Sequence, residues 1–256
     1  SIQSSGGWTF GSPSVLMMFY RAPGELESEL AEMDECMPHY YKITGNHGQG
    51  AETIMHAEAA FMQGRFTDAH IALERAYAQI EGNGQENMAL CCVFLARRLS
   101  LFTDIGQRAK LEKRRERLLA HHNVSWLNLW NAAAAYHHAL LGSTDSIPEA
   151  YRRHRLFTVR TLAPGKPMIE MIENQVYLAQ GEYAHVIGRS EGLLTQCEAM
   201  HYALVALHIR IQTAAAYEML GKHIEARALL ERALADAEPD GFALPFAENF
   251  RYLEPL

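Results

Sequence analysis

The chain has 256 residues, 48% of them hydrophobic, so it can bury a large core; its 23 basic and 30 acidic residues leave a net charge of −7, which disfavours nonspecific nucleic-acid binding. No apolar run reaches the roughly 18 residues of a membrane span, and Ser1-Ile2-Gln3-Ser4-Ser5 is not a signal peptide. Cys36, Cys91, Cys92 and Cys197 lack CxxC spacing. Buried structural thiols in a reduced, cytoplasmic setting are therefore expected.

In chain order, a first helix is expected near 14–21, either as part of a repeat or as a linker, followed by Ala22-Pro23-Gly24-Glu25. From 51 to 81, Ala57, Ala60, Gly64, Phe66, Ala69, Leu73 and Ala76 recur at helical spacing. Helices are expected near 86–102 and 106–121 around a turn at Thr103–Asp104. Two more follow near 124–141 and 148–157 around Gly142–Ile147, where Ser143, Asp145 or Ser146 could cap the second. Pro164, Gly165 and Pro167 break the chain before a unit at 168–197 marked by Asn174, Tyr177, Gly181, Tyr183 and Val186. The last unit runs through Ala214, Tyr217, Gly221, His223, Ala226, Leu230 and Ala233 to Pro239, and a closing helix is expected at about 243–253.

Gly64, Gly142, Gly181 and Gly221 close apolar helical stretches 78, 39 and 40 residues apart, and 78 reads as two steps with one degenerate turn. Each suits a left-handed helix end. A fixed period of this size marks stacked supersecondary units, and no stretch alternates long enough to claim a sheet. The expected fold is all-α: one domain over 1–256, a superhelix of about six helical hairpins. The small-residue spacing resembles the tetratricopeptide pattern.

Two segments resemble a known family. Gly11-Ser12-Pro13-Ser14-Val15-Leu16, then Glu29-Leu30-Ala31-Glu32-Met33-Asp34-Glu35-Cys36-Met37-Pro38-His39-Tyr40-Tyr41, Thr44, His47-Gly48 and Gly50-Ala51-Glu52, look like the start of the helical-repeat region of MalT-like regulators of the LuxR family. Ala237-Glu238-Pro239-Asp240-Gly241-Phe242-Ala243-Leu244-Pro245-Phe246-Ala247-Glu248 looks like its end. The resemblance implies a sensor segment that receives an inducer or a regulatory protein. It also implies an NTP-binding domain upstream, where ATP would be the cofactor, and a helix-turn-helix DNA-binding domain downstream. Neither is in this sequence, which has no Gly-x-x-x-x-Gly-Lys-[Ser/Thr] loop. The missing initiator methionine and the stop at Glu254-Pro255-Leu256 fit a segment of something longer. Within the segment no cofactor, membrane contact or direct nucleic-acid contact is expected; homo-oligomerisation is possible, since stacked repeats without their neighbours leave apolar ends.

In the expected register, Glu58, Tyr136, Gln175, Gln212 and Glu218 face a groove, with His208 near one end. Amides, a carboxylate and an aromatic ring suit a neutral polar ligand such as a sugar or peptide; the plain alternative is a solvated concave face. Replacing Gln175 and Gln212 with alanine is then expected to weaken ligand binding with little loss of stability. Trp126 and Trp130, one turn apart, could form a stacking platform but more commonly such a stripe is core. His121–His122 and His137–His138 are adjacent pairs that point apart on a helix, and no HExxH occurs, so no metal is expected. Arg108, Lys110, Lys113, Arg114, Arg115 and Arg117 against Glu112 and Glu116 read as a solvated helix face before an anion site. There is no GxSxG elbow and no nucleophile with a placed base, so no enzyme activity is expected. The alternative to a sensor is a generic tetratricopeptide-like protein-interaction scaffold without a small-molecule ligand.

Overall fold

In the computed structural model, residues 12–81, 86–103, 108–121, 124–155 and 163–254 are described, and among them the regular structure is entirely helical. The helices are α1 (Leu16–Phe19), α2 (Leu26–Thr44), α3 (Ala51–Met62), α4 (Phe66–Glu81), α5 (Glu86–Leu99), α6 (Arg108–His121), α7 (Val124–Leu140), α8 (Glu149–Arg152), α9 (Lys166–Gln180), α10 (Tyr183–Met200), α11 (Ala203–Met219), α12 (His223–Ala237), α13 (Leu244–Glu248) and α14 (Phe250–Leu253).

The spaced glycines end helices in one recurring way. Gly64, Gly142, Gly181 and Gly221 have φ of +75°, +72°, +80° and +72°. After each, the next residue's N–H reaches back five positions: Arg65 to the Ala60 carbonyl at 2.8 Å, and Ser143 to His138, Glu182 to Tyr177 and Lys222 to Tyr217, each at 2.9 Å. This is the bond of a Schellman cap, which satisfies a carbonyl left over at the helix end. The same cap occurs without glycine at His201 (φ 55°), where Tyr202 N–H bonds the Cys197 carbonyl, and at His154 (φ 52°), where Arg155 N–H bonds Ala150. The cap at His154 stops α8 at four residues, where the sequence had suggested a helix over 148–157.

Packing follows from which faces are apolar. Helices α3, α5, α7, α9 and α11 pack each on the next as a central row. Helix α4 lies on α3, α10 on α9 and α11, and α12 on α11. Helix α11 is buried along nearly its whole length, whereas α12 buries only Ala226, Ala233 and Ala237, small side chains that let it approach its partner closely. Buried residues from Val15 to Leu253 form one continuous hydrophobic cluster.

Both ends of the described chain return to the central row. Helix α1, a single turn where 14–21 was expected, packs on α3 and α11. After α12, Gly241 (φ 67°) turns the chain back, and Ala243 N–H bonds the Met62 carbonyl at 2.9 Å. The expected helix over 243–253 is two short helices broken at Asn249. Asp240 ties the two ends together: its carboxylate accepts bonds from Tyr20 Oη–H at 2.5 Å, Gly24 N–H at 2.6 Å and Leu26 N–H at 3.1 Å.

Further departures are local. Cys91, Cys92 and Cys197 are buried, but Cys36 is exposed because it sits on the solvent side of α2. On α6, Lys113 and Arg115 are exposed while Arg114 is buried; the side chains of Arg108 and Lys110, and Asp104 of the expected turn, lie outside the described residues.

Gly142 carries two constraints and Gly181 one. A Cβ on Gly142 would stand 2.8 Å from Arg251 Nη1, while one on Gly181 meets nothing within 4 Å. Gly181→Ala should cost about 1 to 2 kcal/mol, the penalty of a left-handed L-residue. Gly142→Ala should cost more, because it also pushes Arg251 off the Ala139 carbonyl it bonds at 3.0 Å. Urea denaturation of the two variants measures the difference; equal losses would show that the Arg251 contact contributes nothing.

Candidate functional site

Helix α5 is apolar from Met88 to Ala96, and this run buries it so deeply that Arg98 has nowhere to reach water; the side chain is 2% exposed. Its guanidinium meets Glu248, at the end of α13, as a two-pronged pair: Nε to Oε1 at 2.6 Å and Nη2 to Oε2 at 2.9 Å. Tyr136 on α7 donates its Oη–H to Glu248 Oε2 at 2.9 Å. The rings of Phe61, Phe94 and Tyr136 surround the cation, with centroids 5.0, 5.3 and 5.5 Å from Arg98 Cζ. A planar fork on a carboxylate, boxed by aromatic faces, is a strong way to hold a buried charge. Burial alone would pull the Arg98 pKa down; the Glu248 carboxylate outweighs it and holds the pKa above its ordinary value. Burial and then Glu248 push the Tyr136 phenol well up, so it stays a donor.

An amide relay continues from this pocket. Asn249 is fixed by its own Nδ2–H bond to the Pro245 carbonyl at 3.0 Å. Its Oδ1 accepts from Gln175 Nε2 on α9 at 3.0 Å. Gln212 Nε2 on α11 then donates to Gln175 Oε1 and to the Met171 carbonyl, each at 3.0 Å. One turn earlier on α11, His208 is fully buried, with its ring centroid 6.5 Å from that of Tyr136. Burial, and then the charge of Arg98, drive its pKa well below the ordinary value, so the imidazole is neutral. On α3, Glu58 accepts the Leu16 N–H at 2.7 Å and so anchors α1; burial raises its pKa to about 7 against the pull of that bond, Ser14 and Arg98.

The six residues expected to face a groove are thus all buried. Tyr136, Gln175, His208 and Gln212 join one polar row with Arg98, Glu248 and Asn249, and Glu58 flanks it. Glu218 is elsewhere: it bonds His223 Nδ1 at 2.8 Å across the α11–α12 turn. Register identified the face of each helix but not the segment that covers it. The expectation that Gln175 and Gln212 can be removed at little cost in stability is corrected accordingly, since both are buried and hydrogen-bonded to each other. Arg98, Glu248 and Asn249 were missed; the available signal was a second arginine inside an apolar helix, which requires a buried partner.

Trp130 is buried with the Arg97 guanidinium 4.7 Å from its ring, and Trp126 packs partly buried against the core, the core alternative for that stripe. His137 Nδ1 bonds the Arg97 carbonyl at 2.9 Å, and burial lowers its pKa to about 4. His122, and the side chain of His121, lie outside the described residues. Among the described residues no three His, Cys, Asp or Glu side chains form a metal-holding group. Among the described residues, several open clefts lie away from the row, two of which involve α10 or α2. One of about 490 Å³ between α10, α11 and α12 includes Arg210, Arg232 and Asp236; the other, of about 420 Å³, is lined by Met18, Met33, Met37 and Met200. None of the six expected residues lines either. No family model, curated protein or solved structure matches the chain.

The folded state holds the Glu58 proton up to about pH 7, against an ordinary 4.5 for an unfolded carboxylate. Its contribution to stability is therefore complete below pH 4.5 and lost as pH rises to 7, roughly 3 kcal/mol in all. Glu58→Gln keeps a neutral acceptor for Leu16. Urea denaturation should find the variant close to the parent at pH 4.5 and roughly 2 to 3 kcal/mol more stable at pH 8; a pH-independent difference would contradict the assignment.

Proposed function

We propose that the chain is the regulatory sensor segment of a MalT-like, LuxR-family transcription regulator. In this reading it is a cytoplasmic tetratricopeptide-like superhelix of about six hairpins, without catalysis or a cofactor of its own. An ATP-binding domain upstream and a helix-turn-helix domain downstream complete the regulator. The terminal phrases carry the family resemblance, and the stacked helix pairs with Schellman turns are compatible with it.

One observation ties the geometry to sensing. The closing phrase that resembles the end of the family's repeat region lies across the central row, placing Glu248 on Arg98 and Tyr136, and the residue that follows it, Asn249, meets Gln175. Any inducer or regulatory protein that engages the row alters the segment leading toward the DNA-binding domain. Coupling of this kind needs contacts that differ between two states, and the displaced polar anchors supply them. The second reading, a protein-interaction scaffold without small-molecule ligand, is favoured by the covering of the row and by apolar side chains held in solvent, such as Ile224 at 85% exposure on α12.

Extending the reading frame tests the family proposal: a phosphate-loop NTPase before this segment and a helix-turn-helix after it are expected, and their absence would overturn it. A thermal-shift screen against sugars, amino acids, peptides and nucleotides separates the two readings, because a ligand that binds only the folded state raises Tm. A reproducible hit among small polar metabolites is expected for the sensor; no hit across the library would favour the scaffold.

A further inference from the structure

Residues 242–253 sit on the central row much as a peptide sits on a receptor. They form helices of five and four residues, too short to persist on their own. Their polar anchors come largely from other elements: Arg98 and Tyr136 hold the Glu248 carboxylate, Gln175 holds Asn249, and the carbonyl of Ala139 accepts from Arg251. Gly241, with φ at 67°, joins the segment to α12.

The row also extends beyond what this occupant satisfies. His208 is fully buried, yet neither ring nitrogen has a hydrogen-bond partner, and Gln212 Oε1 beside it is unpaired as well. Buried polar groups in proteins are nearly always paired. Unpaired groups next to a fully satisfied carboxylate pocket mark an occupant that reaches only part of the site.

We infer that the central row is a binding site for an acidic peptide segment of a partner protein, which residues 242–253 occupy as an internal surrogate. The partner's glutamate enters the Arg98–Tyr136 pocket, its neighbouring amide side chain meets Gln175, and a further polar group extends to His208 and Gln212. The pocket selects a carboxylate because an uncharged side chain would leave the Arg98 guanidinium buried without a counter-charge. The surrogate acts as a gate: a tethered segment has an effective concentration in the millimolar range, so weak competitors are excluded. This deepens the sensor reading by naming the class of partner, and it rests on that reading in treating the row as the sensing surface.

The test uses the whole chain and a fluorescein-labelled synthetic peptide copying residues 241–254. Anisotropy titration should show at least ten-fold tighter binding to the Glu248→Gln chain, whose surrogate is weakened, than to the parent. A probe with glutamine at its own glutamate position should lose at least ten-fold on that variant. Equal affinity for parent and variant, or for the two probes, would overturn the inference. Should Glu248→Gln fail to fold, hydrogen exchange on the parent chain decides: amides of 242–253 should exchange at least ten-fold faster than those of α5, α7 and α9. Exchange of all four together would show the segment to be inseparable core. Loss of the sensor reading would register in the extended reading frame and leave these measurements untouched.

Discussion

A guanidinium with 2% of its surface exposed cannot be solvated, and the polar row through the core is arranged around that fact. Moving such an ion out of water costs several kcal/mol even after relaxation, and the cost is offset only by a well-aligned counter-charge with its remaining lone pairs satisfied. Arg98 obtains this from Glu248, 150 residues later, with Tyr136 completing the carboxylate. The pair therefore dictates where the closing segment lies. Once Glu248 is fixed, Asn249 falls opposite Gln175 and Arg251 opposite the end of α7. A long-range ion pair thus sets the position of two helices too short to place themselves.

The amide relay adds direction to this constraint. Apolar helices stacked by shape alone can slide by a turn with modest loss, but Gln212 and Gln175 reach the Met171 carbonyl, each other and Asn249 in one register. A slip would strand several buried donors, each costing about 1 to 3 kcal/mol. At the other end, Glu58 and Asp240 hold the segment before α2 against α3 and against the turn after α12. Glu58 thus fastens the beginning of the described chain to the row, and Asp240 fastens that beginning to the turn before the closing segment.

Much of the helical framework was legible in the sequence because its signals are local. Glycine at a left-handed helix end leaves a one-residue mark, and α3, α4, α9, α10, α11 and α12 follow from it and from three-to-four-residue apolar spacing. The turns at His154 and His201 carry the same cap on an ordinary side chain, so nothing local announced them. The candidate site was half legible for a related reason. Periodicity placed Tyr136, Gln175 and Gln212 on one face and His208 near them, and all four are buried beside one another. Whether that face meets water or another segment depends on Glu248 and Asn249, whose partners lie 74 to 150 residues away. Spacing carries no information on such pairings. Glu218 shared the register but not the destination, because it lies at the end of α11, where the turn to α12 brings it His223.

A double-mutant cycle on Arg98 and Glu248 tests this account most directly. Arg98→Met and Glu248→Leu each strand one buried charge and should each cost roughly 3 to 5 kcal/mol in urea denaturation. The double variant strands neither, and should be more stable than the sum of the two losses by on the order of 3 kcal/mol. Additivity to within about 0.5 kcal/mol would mean that the two side chains act independently, and that the closing segment is held to the central row by something other than this pair.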